Sequence, residues 1–530
     1  MIMEYIKKYL KTALGDHFEL FVTRPHRAYR AWIVAFKRSR DSLTKLIRSL
    51  PSLLRTKALR RLQLQYQTLG ISTMLKPLSL VLRTVIKQLI HWSGGRYRES
   101  YLYFGKAIVT LKGNCTTRHG LLLVSGTLGP GGSERQAVLT FLGLAKRGLR
   151  PLGLAVVYLR TEHERFYLSR LEAAGMPPTK FNRNTAQDDR GELGQILSIV
   201  KLLPDELQDV RDYISTLQSQ RPEIVHLWLD EVNVKGGLAA IATGVPKIVL
   251  GTRSLPPYNF ALYQPYMYEG YCWLAKQPQV TLISNSNAGA RAYEQWLGLP
   301  AGHIQVVHNG FDFDEGLLSE QRNKRAAYRE RLGIPPASPL VGTVMRLSEE
   351  KRPLLWAEIA ARTLRHVPEA HFVVVGDGPL RAELQAKIAA LDLAGRLHLV
   401  GYEQQSLAAI AAMDLFLLSS RAEGLPNVLV EAQALGVPVV TTAAGGAQES
   451  LAHGQTGWVL SSDNASAAAR VIARLLNDRQ WLQQAGNAGH DFVKSRFGVE
   501  RMLDETLQVY GPILSEGKIT KTTCSKRAAS

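Results

Sequence analysis

The chain has 530 residues, of which 45% are hydrophobic, 21% charged and 8% aromatic, and its formal net charge is +20. That length favours two domains or more, and the composition excludes a chain disordered throughout. Three scattered cysteines, Cys115, Cys272 and Cys524, exclude a disulfide-stapled scaffold and a cysteine zinc cluster.

The charge is concentrated at the ends. Residues 1–120 hold 23 Lys and Arg against 5 Asp and Glu, whereas residues 121–510 hold 38 against 39. Residues 1–115 carry Leu, Ile and Val at helical spacing among the basic residues, as in Leu43-Thr-Lys-Leu-Ile-Arg-Ser-Leu50, with breaks at Pro51 and Ser93-Gly94-Gly95. A basic helical extension is expected there. No apolar core with a cleavage site follows Met1, and no 18-residue apolar run occurs, so neither a signal peptide nor a spanning helix is expected. Cytoplasmic residence is the simplest expectation.

From about residue 120, short apolar runs alternate with amphipathic stretches, the pattern of βα units on a parallel sheet. Strands are expected at 121–125, 152–159, 224–229, 247–251 and 280–285. After a polar stretch to about Pro336, a linker with a helix, they recur at 340–345, 371–376, 397–401, 414–419, 438–442 and 458–461. The fold class is therefore α/β, with two doubly wound domains in tandem. Ligands of such sheets bind beyond the carboxyl ends of the strands, here in the cleft between the domains.

Three constellations stand at such strand ends. Ser125-Gly-Thr-Leu-Gly-Pro-Gly-Gly-Ser-Glu-Arg-Gln136 joins a strand to a helix, and Gly131 and Gly132 let backbone amides approach an anion at the helix start. It has neither the dinucleotide fingerprint nor a P-loop lysine. Arg346 and Lys351 emerge together after the strand that opens the second half. A planar fork and a point charge suit phosphoryl oxygens, although a bare pair of this kind is more often a solvated turn. Glu423-Gly-Leu-Pro-Asn-Val-Leu-Val-Glu431 sets two carboxylates eight residues apart across a helix start, with Pro426 expected at the first helical position. Glu431 can accept two hydrogen bonds from vicinal hydroxyls such as those of ribose.

Together these motifs resemble the retaining, nucleotide-sugar-dependent glycosyltransferases of family 4, which have the GT-B fold: two Rossmann-like domains facing a cleft. Gly131-Gly132-Ser133-Glu134-Arg135, Ser284-Asn-Ser-Asn287, His308-Asn-Gly-Phe-Asp312, Arg346 with Lys351, Gly376-Asp-Gly-Pro-Leu380, Glu423 with Glu431 and Gly445-Gly-Ala-Gln-Glu449 follow the family's order. The resemblance covers about residues 120–510. It implies an acceptor domain over 120–312, completed by a helix at 497–512, and a donor domain over 335–495. The basic tail 513–530 is expected to be disordered. By the same resemblance Arg346 and Lys351 hold the donor diphosphate, Glu431 the ribose and Glu423 the sugar hydroxyls. Gly376, Gly378 and Tyr402 line the base pocket, and Gly424, Leu425, Pro426 and Asn427 approach the sugar or phosphate. Gly131 and Gly132 reach across from the first domain, and His226 lies near the donor sugar, although Trp228 stands where many relatives have a second His.

No cofactor and no metal are expected. Asp312-Phe-Asp314 matches an Asp-x-Asp metal motif of another glycosyltransferase fold, but it ends a turn between domains, and Arg346 and Lys351 supply the neutralisation. The expected partners are a nucleotide-sugar donor and a lipid-linked or glycan acceptor, as in cell-surface polysaccharide synthesis. An anionic membrane surface is expected to bind residues 1–115, with Trp32, Trp92, Tyr97, Tyr101 and Tyr103 as interfacial anchors, which places the protein peripherally on the inner face of the cell membrane. A nucleotide-sugar epimerase or a non-catalytic relative is the alternative. Nucleic-acid binding rests on charge alone and is not expected.

Overall fold

The computed structural model describes residues 97–108, 120–181 and 191–511. The chain separates into two compact units, Met1–Glu99 and Ser100–Ser530, and both sheets belong to the second. Most of the expected basic extension and the whole expected basic tail lie outside the described residues. Residues 100–108 are helical. There Tyr101 is fully buried, donating from its hydroxyl to the Tyr266 carbonyl at 3.1 Å, and Phe104 meets Trp273 edge-on. Tyr97 is buried too. Of the described aromatics expected to anchor at a membrane, only Tyr103 is exposed, at 61%.

The first sheet comprises β1 (Leu121–Ser125), β2 (Leu152–Val156), β3 (Thr179–Lys180), β4 (Ile224–Trp228), β5 (Lys247–Thr252), β6 (Val280–Ser284) and β7 (Gln305–Val306). All are parallel, in the order β3-β2-β1-β4-β5-β6-β7. The second comprises β8 (Leu340–Val344), β9 (His371–Val375), β10 (Leu397–Gly401), β11 (Leu415–Leu418), β12 (Val439–Thr442) and β13 (Gly457–Leu460), ordered β10-β9-β8-β11-β12-β13. Both orders are doubly wound, with the switch point between the first and fourth strands. The runs are apolar without alternation because both faces are covered: Phe372 and Val374 enter one core of the second domain, Val373 and Val375 the other.

Two strands escape a sequence reading. β3 and β7 are two residues long, too short to leave a pattern. The polar stretch before Pro336 forms two helices, Glu315–Asn323 and Arg325–Arg331, and is not a free linker. Arg325 and Arg329 pin it to the second domain through Asp414 and the carbonyls of Ala411, Ala412 and Met413.

The chain then crosses back. Phe311 and Phe497–Val499 exchange backbone hydrogen bonds, and the helix Val499–Tyr510 lies on the helix Gly132–Lys146 of the first domain. Leu503, 1% exposed, fills the space that a side chain at Gly143 would need, and Arg147 pairs with Glu500 and Asp504. Leu503→Ala should therefore destabilise the first domain by about 2–4 kcal/mol, seen as a lower urea midpoint. An unchanged midpoint would mean that the returning helix contributes nothing to that domain's stability.

Candidate active site

The site is built from loops at the carboxyl ends of β8, β9 and β11. After β8, Arg346 is exposed, with no side-chain partner among the described residues. Five residues on, the Lys351 ammonium donates to Glu423 Oε1 at 2.6 Å. The turn ends at the next residue, Arg352, whose φ of 54° is left-handed, unfavourable for any residue with a bulky side chain. Its guanidinium offsets that cost by donating to the carbonyls of Ser419 (2.6 Å) and Ser420 (2.8 Å) and by pairing with Asp463. The strap that presents Lys351 is thus tied to the β11 loop that presents Glu423. Gly376 and Gly378 serve the same packing. At Gly376, with φ of 129°, a β-carbon would stand 1.9 Å from the Met345 carbonyl, and at Gly378 one would stand 2.6 Å from that of Leu347. Tyr402 lies beyond β10, 55% exposed.

The helix Asn427–Ala434 carries Glu431 on its second turn. Pro426 is the residue before the helix, not its first residue, so the expected position is corrected by one. Glu431, 7% exposed, forms an ion pair with Arg135 of the first domain's helix Gly132–Lys146. The Glu431 carboxylate holds the Arg135 guanidinium charged, raising its pKa. The starts of these two helices meet, with Asn427 Nδ2 3.4 Å from the Gly132 carbonyl. The residues before these helices, Gly131 and Pro426, make no side-chain capping bond. Two amide-rich helix ends therefore converge four residues after Glu423, the partner of Lys351, an arrangement suited to an anion.

Between the domains there is room for backbone alone. A β-carbon at Gly424 would lie 2.5 Å from both the Arg253 carbonyl and Asn285 Oδ1, and one at Gly446 would lie 2.2 Å from the Gly424 carbonyl. Leu425 and Pro426 are buried in this seam. Asn309 stitches it, donating to the Leu425 carbonyl (3.1 Å) and Asn427 Oδ1 (2.7 Å) while accepting from Arg253 (2.7 Å). Glu449 seals its far side, accepting from the amides of Asn287 (2.8 Å) and Ala288 (2.7 Å), with His308 Nε2 at 3.3 Å. Burial alone would raise the Glu449 pKa, but these bonds outweigh it and bring the carboxyl down to about 2.

His226 is placed differently from the donor contact that the resemblance implies. It sits in the middle of β4, 1% exposed, sharing a 2.8 Å hydrogen bond with the Tyr510 hydroxyl. Burial, with the Arg253 charge adding to it, pulls its pKa to about 3, so the ring is neutral. It lies against Trp228, 4.8 Å away between ring centroids, and its Nε2 is buried without a hydrogen-bond partner among the described residues. Asp314 caps the helix Glu315–Asn323 through the Leu317 amide.

Two family models match the chain: "Glycosyl transferases group 1" over residues 324–492 and "Glycosyltransferase Family 4" over residues 130–315. The Vi polysaccharide biosynthesis protein VipC/TviE of Salmonella typhi is 32% identical over 405 residues, 72% of this chain and 70% of that protein. The chain belongs to glycosyltransferase family 4. This family 4 enzyme is also similar to a UDP-Gal:alpha-D-GlcNAc-diphosphoundecaprenol alpha-1,3-galactosyltransferase of Escherichia coli, at 25% identity over 57% of the chain and 80% of that protein. Anabaena HepE, solved with UDP and glucose, superposes with a TM-score of 0.60 at 22% identity over 74% of this chain and 99% of that one. That likeness supports the GT-B fold read from the two sheets.

Sequence reasoning quoted Arg135, Asn309 and Glu449 within motifs but gave them no role, because each acts through a partner more than 110 residues away. Arg253 was not singled out; its one signal was a basic residue just past an expected strand. Because the Glu449 pKa is depressed, its stabilisation is present above its ordinary value of 4.5 and is lost as pH falls toward about 2. Glu449→Gln should lower the melting midpoint at pH 6, and the gap from wild type should narrow steadily as pH falls from 4.5 toward 2. A gap independent of pH would remove the charged carboxylate from this seal.

Proposed function

We propose that this transferase moves a sugar from a nucleotide-diphosphate sugar to a lipid-linked or glycan acceptor, with retention of anomeric configuration, in cell-surface polysaccharide synthesis. The observation that carries the reading is the meeting of two helix starts, one of them four residues after the Glu423–Lys351 pair and carrying Glu431, with Arg346 just past β8. Breaking the bond between the sugar and the diphosphate puts negative charge on the leaving phosphate. Fixed cations and amide dipoles oriented before the reaction stabilise that charge without reorganising. Arg346 and Lys351 take this role with no metal in the scheme, Glu431 receives the ribose hydroxyls and Glu423 those of the sugar. Gly376, Gly378 and Tyr402 border the base, and the acceptor hydroxyl attacks from the face that the diphosphate leaves. The acceptor class is supported by relatives named for Vi polysaccharide, for lipopolysaccharide core and for a diphosphoundecaprenol substrate.

Arg346→Ala and Lys351→Ala should each lower kcat about 10²–10³-fold, while Glu431→Ala should weaken donor binding. Nucleotide release from UDP-, GDP- and ADP-sugars, with membrane extract as acceptor, measures both effects. Transfer that survives Arg346→Ala unchanged would refute the donor site.

We propose further that the basic N-terminal segment brings the enzyme to an anionic membrane surface, where its acceptor resides. No helix among the described residues is long and apolar enough to cross a membrane. Each Lys or Arg near an anionic surface contributes about 1 kcal/mol, so a fraction of the 23 basic residues in 1–120 suffices. Because Tyr101 and Phe104 are buried, a clean truncation ends at residue 96. Flotation with anionic vesicles should fall with added salt and with removal of residues 1–96. Equal flotation of the truncated protein would place the membrane contact elsewhere.

A further inference from the structure

Arg253 is a half-buried cation, its Nε fully buried, to which the described residues offer no counter-ion. It follows β5 at the carboxyl edge of the first sheet, with its guanidinium carbon 4.3 Å from the centre of a Trp228 ring. One Nη donates to Asn309 Oδ1 at 2.7 Å, while the buried Nε has no acceptor. Trp228 Nε1, in the ring on which it stacks, is buried and unpartnered as well. The carboxylates along the seam are committed elsewhere: Glu423 to Lys351, Glu431 to Arg135, and Glu449 to Asn287, Ala288 and His308. Arg329, by contrast, is a buried arginine answered by Asp414. Burial without a neighbouring anion lowers the Arg253 pKa to about 9.

A guanidinium withdrawn from water without an anion is unfavourable, and the fold retains one where the domains meet. Its own carbonyl touches Gly424, the residue after Glu423, so the cation is anchored at the sugar end of the site, on the acceptor domain. The donor diphosphate already has Arg346, Lys351 and the helix ends. We propose that Arg253 binds an oxyanion carried by the acceptor, either the carboxylate of an acidic sugar or the phosphate of a lipid-linked one. The fork geometry suits both. The inference rests on the transferase reading for the word acceptor, but the anion site itself stands on the Arg253 geometry.

The test uses the full chain and two probes, inorganic phosphate and sodium glucuronate, read by melting midpoint. Wild type should be stabilised by at least one probe, and which one responds separates the phosphate source from the carboxylate. Arg253→Gln should melt no lower than wild type without probe and should lose at least tenfold in apparent probe affinity. Arg346→Ala, which alters the donor site only, should keep the response. Should Arg253→Gln not fold, Arg253→Lys keeps the charge without the fork and should still show weakened affinity. The proposal is overturned if wild type responds to neither probe, if Arg253→Gln or Arg253→Lys binds as tightly as wild type, or if only Arg346→Ala loses the response. Failure of the donor reading would show instead as transfer that survives Arg346→Ala, and it would leave the Arg253 result intact.

Discussion

The approach of the two domains at Gly424 and Gly446 sets the rest of the site. A side chain at either glycine would collide with Arg253, Asn285 or Ser286 of the first domain, so the two domains can approach this closely only through glycine. Glu423 is the residue immediately before this contact, and Asn427 lies three residues after it. Their placement against the first domain therefore follows from main-chain contact, and Lys351 follows from them through the Glu423 ion pair. Side chains with many rotamers could not hold such a geometry as tightly. What surrounds the contact is polar: Asn309, Asn427 and Glu449 make its hydrogen bonds. An interface of that kind resembles those between domains that move against each other, so one seam serves both exactness of closure and reversibility.

The fold was legible because burial on both faces leaves a strong local trace. A run such as His371–Val375 must be apolar throughout when cores lie above and below it, and eleven such runs could be read in order. The floor of the site was legible for a related reason, since functional residues of doubly wound sheets stand just past the strand ends, as Arg346, Lys351 and Glu423 do. Periodicity reports whether a position is buried, but it does not say against what. It could not show that Arg135 pairs with Glu431 across 296 residues, nor that Tyr101 turns inward to Tyr266. His226 illustrates the same limit: a histidine on an apolar strand reads alike whether its ring meets a substrate or the Tyr510 hydroxyl. Two-residue strands such as β3 and β7 leave no periodicity at all.

The charge on the chain divides along the same lines. The body between residues 121 and 510 is nearly neutral by count, yet its cations are not spread evenly across it. Most are answered locally, as Arg147 is by Glu500 and Asp504 and Arg352 by Asp463. At the cleft Arg135 and Lys351 are answered by Glu431 and Glu423, whereas Arg253 and Arg346 have no carboxylate partner among the described residues. A neutral protein with a locally positive cleft concentrates anions there without becoming a general polyanion binder. The surplus in residues 1–120 lies almost entirely outside the described residues.

The distribution of those four cations links ligand binding to closure. Two belong to the first domain, Arg135 and Arg253, and two to the second, Arg346 and Lys351. Closing the cleft brings like charges together, which opposes closure unless something negative lies between them. The opposition is met partly by Arg135 reaching Glu431 and partly by Glu449 on the far side of the seam. Arg253 and Arg346 remain without a carboxylate. An anion in the cleft converts the remaining repulsion into attraction from both sides at once. It therefore interacts more favourably with the closed arrangement than with an open one, and any ligand with that preference shifts the population toward closure. Uncompensated charge at the seam costs stability in the empty protein and makes closing sensitive to the substrate's own charge.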